Sequence, residues 1–191
     1  MTRWIRSLLI GAVAVLVAAL AGCEAGADAP TVEFHPASFG TSCTVNGVTV
    51  DDAFVLGAAL NSALPASGQA GVFLSLASMT GDQLVSASAP GTATSVQLAT
   101  GPVTLNANSV VNLSGPVPQI VLTGLTNGLN SGQMVNLVLT FATAGAVSVQ
   151  VPVEPAAYDY TTYSPPPPAA LPASTPVPSA TPSASPCVAQ P

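Results

Sequence analysis

From Val45 to Val153 the sequence is cut at short intervals by Gly, Asn, Asp and Pro, and the pieces between are short runs rich in Val, Leu, Thr and Phe. This rhythm constrains the fold more than any single motif. A chain turned so often has little room for long helices and buries its apolar side chains as strands. The runs expected as strands are Val45–Val50, Ala53–Leu56, Val72–Ala77, Gln83–Ser88, Ser95–Leu98, Val103–Asn106, Val110–Leu113, Gln119–Thr123, Val135–Phe141 and Val147–Val153. Alternation is plain in Val72-Phe73-Leu74-Ser75-Leu76 and Val147-Ser148-Val149-Gln150-Val151. Turn signals stand at Asn46-Gly47, Thr80-Gly81-Asp82, Asn127-Gly128 and Ala144-Gly145. Ala53–Leu64 is ambiguous, because its Ala and Leu content also suits a short helix. The pattern reads as an all-β sandwich or barrel.

Charge narrows the function classes. The chain has no lysine, only the two arginines Arg3 and Arg6, and eight acids, for a net charge of −6. Nucleic-acid binding needs a basic surface. A P-loop and a Schiff-base site each need a lysine. All three are excluded.

The arginines belong to the N-terminal segment. Met1 to Arg6 is basic, Ser7 to Ala19 is apolar, and Leu20-Ala21-Gly22-Cys23 closes the run like a bacterial lipobox. Residues 1–22 are therefore expected to be a lipoprotein signal peptide and Cys23 the lipidated first residue of the mature chain. An uncleaved anchor is the competing reading, but the run is short of the ~20 residues a span takes. Cleavage leaves 191 − 22 = 169 residues, removes both arginines and Trp4, and takes the side-chain charge to 0 − 8 = −8. Without Lys or Arg, stability has to come from apolar burial, backbone hydrogen bonds and at most one disulfide. Residues 23–43, small and acidic with Pro30 and Pro36, read as a lipidated tether. Residues 155–191 hold the run Pro165 to Pro168 and regular later prolines among Ala, Ser and Thr, and read as an extended, disordered tail. Tyr158, Tyr160 and Tyr163 at its base either pack the end of the last strand or form an exposed patch for a partner. Thr175, Ser179, Thr181 and Ser183 are spacer residues or acceptors for O-linked sugar.

Val48-Thr49-Val50-Asp51-Asp52-Ala53-Phe54-Val55, followed by Ala70-Gly71-Val72-Phe73-Leu74-Ser75-Leu76, resemble in order the opening and second strands of the periplasmic copper chaperones called PCu(A)C. Gly81-Asp82-Gln83-Leu84-Val85-Ser86-Ala87 resembles their Asp-x-Leu-Val segment, Gln119-Ile120-Val121-Leu122-Thr123-Gly124-Leu125 their His-x-Met segment, and Leu129 to Val153 their closing hairpin. The resemblance implies a cupredoxin-like, immunoglobulin-like antiparallel β-sandwich over residues 44–154. It does not carry the chemistry across. Where the family places its ligands, this chain has Ala99, Gln119 and Val121, and the stretch holding the first Met ligand is shortened. Copper(I) takes soft sulfur and imidazole, so the inherited site is expected to be absent. Actinobacterial envelope lipoproteins of the LpqE kind share the outline, the lipid and the loss of ligands, and are the nearer resemblance.

Other candidates are sparse. His35 falls in the tether, Met79 in a turn, and Met134 is expected to fill a gap in the core. With Cys23 lipidated, Cys43 and Cys187 remain as an even pair in an exported chain. A disulfide, two free thiols and intermolecular bonds all stay open. Catalysis is poorly supplied: His35 is the only imidazole, Asp51 and Asp52 are adjacent and point to opposite faces of a strand, and Asp82 and Glu154 read as solvated. The reading is a non-enzymatic accessory lipoprotein, anchored through Cys23 at the outer face of the cytoplasmic membrane, with no cofactor. It meets envelope polysaccharide or a protein partner through an uncharged, Asn/Ser/Thr/Gln-rich face. The alternative is a divergent copper-binding chaperone with a rearranged site.

Overall fold

Asn46-Gly47 forms a two-residue hairpin turn. Both residues are left-handed, with φ of 51° and 80°, the geometry that favours Asn-Gly. The turn joins β1 (Thr41–Val45) to β2 (Val48–Leu56) and splits the run expected as one strand from Val45 to Val50. The computed structural model describes residues 40–166 and 184–187. The signal, Cys23, His35, most of the tether and the candidate sugar acceptors lie outside them.

The two acids Asp51-Asp52 do not end the strand. β2 passes through them with a bulge, Asp52 standing at φ 51°, and its register against the next strand shifts between Asp51 and Phe54. Ala53–Leu56 is therefore the second half of β2, and the short helix weighed for Ala53–Leu64 is not formed. Strands β3 (Ala63–Leu64), β4 (Gln69–Ser78), β5 (Asp82–Ser88), β6 (Ala93–Leu98), β7 (Val103–Leu105) and β8 (Ser109–Asn112) follow. Then come β9 (Ile120–Leu125), β10 (Leu129–Asn130), β11 (Met134–Phe141), β12 (Gly145–Glu154), a 3-10 helix at Tyr158–Thr162 and β13 (Ser185–Pro186).

Hydrogen bonding runs unbroken in the order β6-β9-β4-β2-β12-β11-β5-β7, with β1 added on β2, β8 on β4 and β13 on β12. β3 and β10 pair separately. The joint between the two halves is a short parallel pairing, Val55 opposite Val153 and Leu56 opposite Glu154. About this joint the sheet curls into two layers facing one apolar core. Val55, Leu74, Leu76, Ile120 and Leu122 of one layer meet Leu84, Leu137, Leu139, Val149 and Val151 of the other, all fully buried. This is the expected all-β, cupredoxin-like sandwich.

Several expectations need correction. Met134 is 55% exposed rather than in the core, because strict alternation along β11 turns Val135, Leu137, Leu139 and Phe141 inward. The sandwich begins before residue 44, since Thr41 pairs with Ala53 and Cys43 with Val50. The tail is ordered at both described ends. Its first turns form the 3-10 helix, and Ser185–Pro186 pair in parallel with Val147–Ser148. Cys187 and Cys43 are joined in a disulfide, their Cα atoms 5.8 Å apart, within the usual span. The bond ties β1 of one layer to the segment lying on β12 of the other.

Candidate functional site: the outer face of one layer

Strand alternation sorts the residues of β6, β9, β4 and β2 onto two faces. Val96, Leu98, Ile120, Leu122, Val72, Leu74, Ala53 and Val55 join the core. The residues between them therefore face away from it. Register sets these in rows: Gln69, Thr123 and Ser95 in one, Gly71, Val121 and Gln97 in the next. One step further, the Ala99 N–H donates to the Gln119 carbonyl at 2.8 Å and extends the pairing beyond the strands. The structure thus brings Ala99, Gln119 and Val121 together on this outer face. Ala99 is exposed, Gln119 half-buried and Val121 only 1% exposed. Their side chains are a methyl, an amide and an isopropyl group, none of which is a copper ligand. The Thr123 hydroxyl is buried on the same face with no hydrogen-bond partner among the described residues.

Gly71 is required here by close approach. A Cβ at this position would stand 2.8 Å from Pro118 Cβ and 3.0 Å from Phe73 Cε2, so the space beside Val121 is already filled.

Towards β2 the same face becomes aromatic. Phe54, Leu56 and Phe73 form a second buried cluster, and Ala156, Tyr160 and Tyr163 pack over it. Phe54 and Phe73 stack with centroids 5.2 Å apart. Tyr160 meets Phe54 edge-on at 4.8 Å, and Tyr163 meets Phe73 edge-on at 4.8 Å. The strap that carries these tyrosines is held at its start by Ala156 N–H donating to Ala58 O at 3.0 Å and at its end by Ser164 N–H donating to Pro116 O at 2.7 Å. Burial raises both phenol pKa values; the carboxylates of Glu154 and Asp52 add to the rise at Tyr160, and Asp52 to that at Tyr163. Tyr160 and Tyr163 pack as one reading expected, whereas Tyr158 stands 75% exposed. The prolines beyond Tyr163 give no hint that the residues before them fold back.

The acids have structural partners that spacing alone does not reveal. The Asp82 carboxylate accepts backbone N–H groups of Gln83, Thr143 and Ala144 at 2.7, 2.9 and 2.8 Å, fastening the β11–β12 turn. Burial would raise its pKa, but these bonds outweigh that and lower it. Ser42 Oγ donates to Asp51 Oδ1 and accepts from the Asp52 N–H at 3.2 Å, while the Gly40 N–H donates to Asp52 Oδ1 at 3.3 Å. Both acids thus bind β1 to the bulge of β2. Burial raises the pKa of Glu154. Among the described residues, no three His, Cys, Asp or Glu side chains gather as a metal site, and no helix is long and apolar enough to cross a membrane.

Residues 48–153 match the family model described as "Putative lipoprotein LpqE-like". No curated protein matches the sequence. Among solved structures, the apo PCuAC domain from PmoF1 superposes with a TM-score of 0.50 at 17% identity, covering 60% of this chain and 98% of that domain. The apo PmoF2 PCuAC domain gives a TM-score of 0.50 at 15% identity, covering 60% of this chain and 94% of that domain. At such identity the likeness speaks for the fold.

Proposed function

Because this chain belongs to the LpqE-like family, we propose that it is a lipid-anchored accessory protein of the cell envelope that binds a partner, without catalysis, on a PCuAC-type sandwich. The observation that carries this reading is the convergence of Ala99, Gln119 and Val121 on the outer face with no soft donor among them. The positions at which the sequence resemblance places copper ligands are here part of an uncharged surface of amides and hydroxyls. Gln69, Ser95, Gln97 and Gln119 can donate and accept hydrogen bonds without regard to pH. Such groups suit neutral polymer or protein backbone, whether envelope polysaccharide or a protein partner. The anchor in this reading is the lipid on Cys23, and the protein works at the outer face of the cytoplasmic membrane.

A rearranged copper site finds little support in the soft donors. Cys43 and Cys187 are bonded to each other, Met79 follows β4 in one layer, and Met134 opens β11 in the other. Titration of the purified protein with Cu(I) against a competing chelator tests the point. The wild type is expected to take up no stoichiometric copper. Stoichiometric binding by the wild type, lost on Met79→Leu, would overturn the reading in favour of copper transfer.

A further inference from the structure

Among the described residues, seven large apolar side chains stand exposed, and three of them, Leu60, Met134 and Tyr158, sit on segments hydrogen-bonded to one another. The Gly57 N–H donates to Glu154 O at 2.7 Å and the Ala156 N–H to Ala58 O at 3.0 Å, joining the loop of Leu60 to the strap of Tyr158. The Gly132 N–H donates to Val153 O, and the Val153 N–H to Gln133 O, both at 2.8 Å, joining the start of β11 to the same place. Leu60, Met134 and Tyr158 are 46%, 55% and 75% exposed. Tyr158 also holds φ 54°, a strained conformation for a bulky residue. This geometry sends its ring outward while Tyr160 and Tyr163, two and five residues on, pack inward. Strain retained to expose an aromatic side chain points to a use for it.

The course of the chain says what that end faces. β1 runs antiparallel to β2, with Thr41 beside Ala53 and Val45 beside Val48, so the chain enters the sandwich from the side on which β2 ends at Leu56. The N-terminal connection, towards Cys23, therefore enters at the end that carries Leu60, Met134 and Tyr158. From Cys23 to Gly40 is 40 − 23 = 17 residues, which reach at most about 60 Å when fully extended.

We propose that this apolar end rests on the bilayer surface, with Leu60, Met134 and Tyr158 inserted at the level of the headgroups. The proposal relies on the lipid anchor read at Cys23. Tyrosine suits that depth because its ring is apolar and its hydroxyl stays wet. The charge at this end selects the kind of surface. Glu154 and Asp159 lie within four residues of Tyr158 in the chain, and there is no Lys or Arg after Arg6. Nothing here pairs with anionic headgroups, so contact rests on apolar insertion and favours a zwitterionic or neutral surface.

The three tyrosines of the chain all fall between residues 158 and 163, and its one tryptophan is Trp4 in the signal. Tyrosine emission of the mature lipoprotein therefore reports this end of the molecule. The protein is reconstituted into phosphatidylcholine vesicles with or without bromine on the upper acyl chain, and flotation is read alongside. The expected result is flotation together with loss of emission in brominated vesicles. That loss is expected to disappear in Leu60→Asp/Met134→Asp and to shrink when phosphatidylglycerol is mixed in. Both substitutions fall on exposed side chains, and an unchanged circular dichroism spectrum reports that the variant is folded. Flotation with unquenched emission overturns the contact and leaves the anchor standing, as does quenching that the double variant retains. Absence of flotation overturns the anchor and the contact with it.

Discussion

The two faces of the β6-β9-β4-β2 layer are made by the same strands and differ in what closes them. The inner face is closed by the whole of the second layer, with side chains such as Leu74 and Leu122 fully buried. The outer face is closed only in part, by the strap from Pro155 to Pro166 over Phe54, Leu56 and Phe73. Its remainder shows Gln97, Ser95 and Gln69, half-buried and uncharged. Apolar area removed from water stabilises the inner face broadly, whereas the outer one depends on a few aromatic edges. Away from the strap this face carries Ala99, Gln119 and Val121, the positions at which the sequence resemblance places ligands, with no soft donor among them.

Truncation on the two faces turns this contrast into numbers. Leu74→Ala, on the inner face, is expected to cost about 3 kcal/mol in denaturant-induced unfolding, the middle of the range for a fully buried leucine. A cost under 1 kcal/mol would mean that the layers are loosely packed and would break the comparison. Tyr163→Ala, on the strap, is expected to cost about 1 to 2 kcal/mol, with a coupling to Phe73 of about 1 kcal/mol in a double-mutant cycle. Zero coupling would show that the strap is held by its backbone bonds to Ala58 and Pro116 alone. Gln97→Ala and Gln119→Ala together are expected to shift the midpoint by no more than about 0.5 kcal/mol. Any larger loss would mean that these amides hold the sheet and are not available to a partner.

Much of the fold is legible in the residues. Alternation gives β4, β11 and β12 with the right faces, and it also contains the exposure of Met134, since its neighbour Val135 begins the inward series. Asn46-Gly47 gives the first hairpin, provided it is allowed to interrupt the apolar run around it. The bulge at Asp52 is not legible, because a short acidic pair signals a break as readily as a bulge. What decides between them is the hydrogen bonding of Gly40 and Ser42, supplied by a strand outside the run. Asp82 shows the same limit: its spacing places it in a turn, while two of its three backbone donors, Thr143 and Ala144, come from some sixty residues away.

The candidate site divides along the same line. The residue types at positions 99, 119 and 121 are fixed by the sequence, and their lack of soft donors follows without a structure. Their meeting on one outer face is decided by the register of β6 on β9 and by the bond from Ala99 to Gln119. The strap is a tertiary outcome as well: Tyr160 and Tyr163 fold back because Phe54 and Phe73 offer a surface to bury against, and a local window around the prolines holds no sign of that surface. The sequence by itself determined the strand pattern, the absence of basic side chains after Arg6 and the apolar character of the core, because these are properties of composition and of alternation along the chain. Only the tertiary structure decided which acids are fastened, which tyrosines are covered and which end collects Leu60, Met134 and Tyr158, because each depends on residues distant in the chain meeting in space.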